Sequence, residues 1–290
     1  MNTEMAYLCG MIFGNGEIQR ESETTRVTIE IPHKNLRDDQ NRDVSIYVSS
    51  SLNNIRNFLE PLLGHSLIVS RLSNTTQISF NKPNEEYIMR EIMRFVGNGI
   101  NQSSMTMNED LFNMSVDEKK EFLRGFADVT GYIRNSNKAF GQEGNHRVYI
   151  EIPGSWQLVI DIANMLKDVD VPIQTIDFGH PNFRDPMLKK YNQGKKYFWK
   201  KEHQIKIWAN EFLAVGFNIE HKQRALELYS NELLAHKDKH STHKFFWEKT
   251  TRRKIKPTHP MESDENIPLN IRGKHFDHWT DLAKQMGYHE

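Results

Sequence analysis

A single cysteine, Cys9, is all that 290 residues carry. One thiol excludes a disulfide framework and a cysteine-built zinc centre. Long apolar runs are missing as well. None approaches the roughly 20 residues that span a bilayer, and no cleavable secretion signal is legible. The expectation is a cytoplasmic protein, or a nuclear or organellar one in a cell with those compartments, with no membrane partner. Net charge is absent too: 38 Lys and Arg balance 38 Asp and Glu. A uniformly basic nucleic-acid binder is excluded, so contact with a polyanion must rest on local charge. With 37% hydrophobic and 26% charged residues the chain is globular and rather polar. Its length allows one large domain or two ordinary ones.

Local charge is present. Between Arg184 and Lys206 stand eight Lys or Arg and two acids, and between Lys237 and Lys256 the same numbers recur. The chain also repeats itself. Gly10 and Gly16 of "LCGMIFGNGEI" match Gly125 and Gly131 of "LRGFADVTGYI". Further on, "RVTIEIP" at Arg26 recurs as "RVYIEIP" at Arg147, with one difference in seven. The offsets are 115 and 121, and a longer loop in the second copy, "NSNKAFGQEGNH", accounts for the difference. Two copies of one fold in one chain predict a pseudo-two-fold, a dimer written as a monomer.

Each copy reads as αββαββα, giving an α+β protein. The opening helices are expected over Asn2 to Phe13 and Asp117 to Asp128. A strand and the "RV-IEIP" strand follow, the latter with Val27, Ile29 and Ile31 inward and Thr28 and Glu30 outward. The middle helices are expected from about Ser45 to Leu63 and from Trp156 to Lys167. Then come strand pairs, "SLIVSRL" with "TQISF" and "PIQTIDF" with "QIKIW". A closing helix ends each copy, broken near Gly216 in the second. The expected organisation is a first repeat over 1–108, a second over 109–235 with a basic insertion at 178–203, and a basic extension at 236–290. In the opening helices, Gly10 and Gly14 lie four apart, and Gly125 offers a similar face. Glycine lets backbones approach where no Cβ intervenes, so these residues are the expected helix interface.

On these motifs the chain resembles the LAGLIDADG homing endonucleases in their single-chain, two-repeat form, over about residues 1 to 235. The resemblance implies that the two motif helices join the halves. It also implies that two antiparallel sheets form a saddle in the DNA major groove, and that one acid at each helix tip holds divalent metal. The family acid precedes the last glycine. Here those positions hold Asn15 and Thr130. Metal-assisted phosphodiester cleavage needs hard anionic oxygens, and a neutral amide or hydroxyl does not replace a carboxylate. Cleavage is therefore expected to be lost or impaired, and Mg²⁺ is expected only if cleavage is retained. Asp128 and Glu17 are the acids that could rescue it. Asp128 lies two residues before Thr130, a spacing that does not share a helix face.

The outward strand positions are the expected DNA contacts: Arg26, Thr28 and Gln77 in copy one, with Arg20 on the other face of its strand, and Arg147, Tyr149, Gln174, Gln204 and Lys206 in copy two. Arg and Gln pair two-pronged with guanine and adenine edges. Glu17, Glu21, Glu30 and Glu151 sit poorly against phosphate. In the insertion, Lys195, Lys196, Lys200 and Lys201 interleave with aromatics, a composition suited to a phosphate backbone. In the extension, His236, His240 and His243 have helical spacing but lack the further ligands of a metal site, so no metal is assigned. Phe276, Trp279, Leu282 and Met286 are expected on one face of a short terminal helix. The leading expectation is a sequence-preferring binder of double-stranded DNA, acting alone or with a catalytic or regulatory protein partner. An active endonuclease and a protein-interaction scaffold are the alternatives.

Overall fold

The computed structural model describes residues 2–32, 44–73, 75–135, 146–153, 156–178, 202–235, 269–271 and 274–276. Helix α1 (Thr3–Asn15) is apolar all round, as suits a helix enclosed by protein, and Met5 through Gly14 are all buried. Asn2 caps it, its side-chain oxygen accepting from the Met5 N–H at 2.9 Å. Helix α5 (Val116–Thr130) opens with a capping box of Ser115 and Glu118. Both helices run two residues past their expected ends, to Asn15 and Thr130. Each stops at a glycine whose N–H still bonds back into the helix, Gly16 to the Ile12 carbonyl and Gly131 to that of Ala127.

The first half continues as β1 (Gly16–Arg20), β2 (Thr24–Pro32), α2 (Val44–Leu63), β3 (Ile68–Arg71), β4 (Thr75–Pro83) and α3 (Tyr87–Val96). A short helix, α4 (Glu109–Phe112), precedes α5. The second half repeats the order with β5 (Gly131–Asn135), β6 (His146–Pro153), α6 (Trp156–Asp168), β7 (Thr175–Phe178) and β8 (Glu202–Trp208). Its closing helix is broken into α7 (Ala209–Phe212) and α8 (Glu220–Ala235), with Gly216 at φ +70° between them. The strand order is β1-β2-β4-β3 in one sheet, and β5-β6-β8-β7 repeats it in the other.

The second sheet is larger than expected. A strand from the extension, β9 (Leu269–Ile271), pairs parallel with β7, and β10 (Lys274–Phe276) pairs with β9. Phe276 therefore lies in a strand and not in the expected terminal helix. A parallel addition to an edge strand is invisible to local periodicity, because its partner is about ninety residues away in sequence. Trp279, Leu282, Met286 and the extension histidines His236, His240 and His243 lie outside the described residues.

The core follows the two periods. Val27, Ile29 and Ile31 are buried on β2, and Val148, Ile150 and Ile152 on β6. The opposite faces carry the polar residues. Between the halves, α1 and α5 run in the same direction and touch backbone to backbone. A Cβ on Gly10 would lie 1.9 Å from the Phe122 carbonyl oxygen, and one on Gly125 2.1 Å from that of Tyr7. The two contacts are images of each other under the 115-residue offset. Further along, a Cβ on Gly14 would meet Val129 at 2.3 Å, so the helix tips lie together and β1 and β5 start side by side. Lys119 pairs with Asp168 at 2.8 Å and ties α5 to α6.

Gly10→Ala or Gly125→Ala must part the helices, since the atom met is backbone. Each is expected to destabilise the fold by at least about 3 kcal/mol in urea unfolding. Gly64→Ala, at φ +70° with open space around it, should cost about 1–2 kcal/mol, the strain of a left-handed L-residue alone.

Candidate nucleic-acid interface

At the tip of α1, the Asn15 side-chain amide donates to the Glu30 carbonyl oxygen at 2.8 Å. At the tip of α5, the Thr130 hydroxyl donates to the Phe126 carbonyl oxygen at 2.7 Å, and the residue is buried. Both residues at the motif acid positions thus serve the local backbone. Neither brings anionic oxygen to the tips, so the pair does not fit a divalent cation in the way two carboxylates would. A cleft of about 670 Å³ opens beside the first tip, lined by Asn15, Glu17, Glu30, Asn101, Gln102 and Pro153, among others. The Gln102 amide reaches in to donate to the Gly14 carbonyl oxygen at 2.5 Å. Among the described residues no three His, Cys, Asp or Glu side chains come together as a metal site.

Asp128 does not point at the tip. It is fully buried and accepts the Tyr7 hydroxyl across the helix interface at 2.7 Å. It also accepts the N–H groups of Asn218 and Ile219 at 3.1 and 3.2 Å, just ahead of α8. An anion there complements the positive end of that helix. Lys222, in the first turn of α8, returns the contact: its ammonium donates to the Asp128 and Gly131 carbonyl oxygens, each at 2.7 Å, at the negative end of α5. Burial pushes the Lys222 ammonium down to about 7, opposed by the Asp128 charge. Burial also raises the Asp128 carboxyl, with Lys222 pulling the other way. Burial, and then the Asp128 charge, hold the Tyr7 phenol well above its usual value. Burial pushes the lone thiol, Cys9, up to about 12, which leaves it inert.

On the first sheet, Arg26 is exposed and Thr28 half-buried on the face away from the core. Gln77 donates to Glu30 across the β2–β4 pair at 2.6 Å. Arg20 is on the other side of the sheet, its guanidinium donating to the Gly97 carbonyl oxygen at 2.9 Å beyond the end of α3. The second sheet repeats the cross-strand pair, with Gln204 donating to Glu151 at 3.0 Å. Its expected contacts are more enclosed than strand alternation indicates: Arg147, Tyr149 and Gln204 are buried, and Lys206 is half-buried. Arg147 lies over the Trp208 ring at 4.6 Å. Gln174 precedes β7, its N–H donating to the Lys206 carbonyl oxygen at 2.8 Å. Lys195, Lys196, Lys200 and Lys201 lie outside the described residues.

Sequence reasoning missed several contributors. Glu30 joins the cleft as well as the sheet face. Gln102 comes from the connection between the halves. Lys222 has no motif to announce it. Arg134 and Tyr132, on β5, have polar positions opposite Arg147 and Tyr149, and placing β5 against β6 in register would have found them.

No protein-family model matches the chain, and no curated protein does. Solved structures do. The homing endonuclease I-DmoI, as a variant in complex with its target DNA in the presence of Mn, shares 13% identity over 73% of this chain and 91% of its own, at a TM-score of 0.42. The LAGLIDADG meganuclease I-AabMI, bound to uncleaved DNA, shares 11% over 86% of this chain and 98% of its own, at 0.44. Full-length DUF199/WhiA from Thermatoga maritima shares 14% over 84% of this chain and 65% of its own, at 0.43. By their own descriptions I-DmoI is a homing endonuclease, I-AabMI a LAGLIDADG meganuclease and the N-terminal domain of DUF199/WhiA a LAGLIDADG domain. Among the described residues no helix is long and apolar enough to cross a membrane.

Between pH values of about 7 and 10.5, unfolded chain keeps a Lys222 proton that native chain has released. Stability therefore rises with pH across this window, by up to about 1.4 kcal/mol per pH unit from this group. The unfolding free energy of wild type relative to Lys222→Met should climb accordingly, and a flat difference would refute the depressed value. Asp128 is raised in the native state, so its share has the opposite slope at acid pH. Asp128→Asn is expected to cost about 2 kcal/mol, by leaving the buried Tyr7, Asn218 and Ile219 donors one acceptor oxygen where they now have two.

Proposed function

We propose that this protein binds double-stranded DNA with sequence preference and that its own cleavage chemistry is lost or impaired. The observation that carries the reading is the arrangement of the two sheets. They begin at paired helix tips and bury one face in the core, and the other face carries hydrogen-bonding and cationic side chains in matching registers, open at Arg26 and Arg134 and enclosed at Arg147, Tyr149 and Gln204. Arg, Gln and Lys on a strand are the chemistry that reaches base edges and phosphates from the major groove. Asn15 and Thr130 support the second clause, since both are spent as donors to local carbonyls. The role would be recognition, for regulation or as the specificity component of a nuclease that borrows catalysis from a partner.

One observation favours a second reading, residual nicking by the first half. Glu17 and Glu30 both line the cleft at the α1 tip. Two carboxylates there are the anions the motif position lacks.

Two measurements test these. Affinity for duplex DNA should fall steeply between about 50 and 200 mM salt, with a negative log–log slope set by the phosphates neutralised. Absence of binding at the lower salt would overturn the DNA-binding reading in favour of a scaffold. Supercoiled plasmid with Mg²⁺ or Mn²⁺ should stay intact. If it is nicked, Glu17→Gln should abolish the nicking under the second reading, and unchanged nicking would discard Glu17.

A further inference from the structure

Arg134 stands apart from the other arginines of the two sheets. Its register partner on β6 is Arg147, and the neighbouring pair is Ile133 with the buried Val148, so Arg134 is on the face away from the core. It is exposed, unlike Arg147. Yet it is held: its guanidinium carbon lies 4.8 Å from the centre of the Tyr149 ring. Tyr149 is buried and stacks on Tyr132, with ring centres 5.3 Å apart and planes 6° from parallel. The Lys206 ammonium is 5.6 Å from the same ring. Tyr149 thus meets one ring and two cations, of which Arg134 is exposed.

An arginine laid on an aromatic ring keeps its fork of donors oriented. Most of the ordering that bidentate recognition requires is then already in place. Arg26 on the first sheet is also exposed, but no aromatic ring holds it among the described contacts. The 115-residue offset also pairs Arg134 with Gln19, which is exposed on β1 and bonds to Glu17 at 3.2 Å. Equivalent positions in the two halves therefore carry the side chains suited to guanine and to adenine.

We propose that Arg134 is a specificity residue, reading one guanine through its O6 and N7 in the half-site facing the second sheet. This rests on the DNA-binding reading above. It predicts a target whose two halves differ at equivalent base pairs, G·C opposite Arg134 and A·T opposite Gln19.

The experiment selects bound sequences from a randomised duplex pool with the full chain, then repeats the selection with Arg134→Lys, Arg134→Gln, Arg134→Ala and Gln19→Arg. Circular dichroism verifies that each variant is folded. Arg134→Lys keeps the charge and loses the fork, so it should lose about tenfold or more in discrimination at one G·C pair, with its salt slope unchanged. Arg134→Gln should move that position toward A·T, and Gln19→Arg should move its equivalent toward G·C. Two results overturn the assignment while leaving DNA binding intact. One is a uniform loss of affinity across all sequences in Arg134→Ala, with the salt slope reduced by about one, which marks a phosphate contact. The other is an unchanged sequence preference in Arg134→Lys and Arg134→Gln. A wild-type protein that captures no duplex overturns the DNA-binding reading and this assignment together.

Discussion

Everything in this fold depends on two glycines that let the α1 and α5 backbones touch. Gly10 against the Phe122 carbonyl and Gly125 against that of Tyr7 leave no room for a methyl group. Packing this close fixes the helices in register and in the same direction. Their tips are thereby brought together, and β1 and β5 leave from adjacent points. The position of each sheet relative to the other follows from that single contact. Most helix pairs in proteins are held about 8–10 Å apart by their side chains. Here the spacing is set by main chain, which cannot adapt by changing rotamer.

The second half then adds a polar lock to the apolar seam. Asp128 gathers the Tyr7 hydroxyl and two N–H groups ahead of α8, while Lys222 crosses back to carbonyls at the end of α5. Each charge sits at the helix end whose dipole favours it or draws on the free carbonyls there. Buried charges add little net stability over apolar groups of the same shape, but they are unforgiving of misplacement. The lock therefore specifies how α8 seats on the helix tips more than it strengthens the seat. It also removes Asp128 from any chemistry at the cleft, since its oxygens are committed to holding three donors.

Much of this was legible in the sequence, because repetition is a global signal that survives local ambiguity. The matched "RV-IEIP" strands and motif glycines pointed to the αββαββα order twice, the break at Gly216 and the close helix contact. The helix ends were misjudged by two residues, since Asn15 and Thr130 are poor helix formers that the turn to glycine nevertheless tolerates. The addition of β9 to β7 was not legible, because edge pairing depends on a partner far along the chain. The site was harder. Alternation put Arg147, Tyr149 and Gln204 on the outward face of a strand, yet it says nothing of what else crowds that face, and all three are buried. Lys222 and Gln102 were silent, since each acts through a side chain arriving from another element. Alternation put Arg20 on the helix side of its strand, and what it could not show is the carbonyl that Gly97 supplies there.

The halves are alike in plan but no longer interchangeable. Under the repeat, Tyr7 corresponds to Phe122 and Phe13 to Asp128. Across the seam, Tyr7 meets Asp128 through a hydrogen bond, while Phe122 meets Phe13 ring to ring at 5.6 Å. Pairing the first half with itself would set each tyrosine hydroxyl against a phenyl ring, twice over. Pairing the second with itself would bury two carboxylates against phenyl rings. Four side chains thus make each half a better complement to the other than to itself.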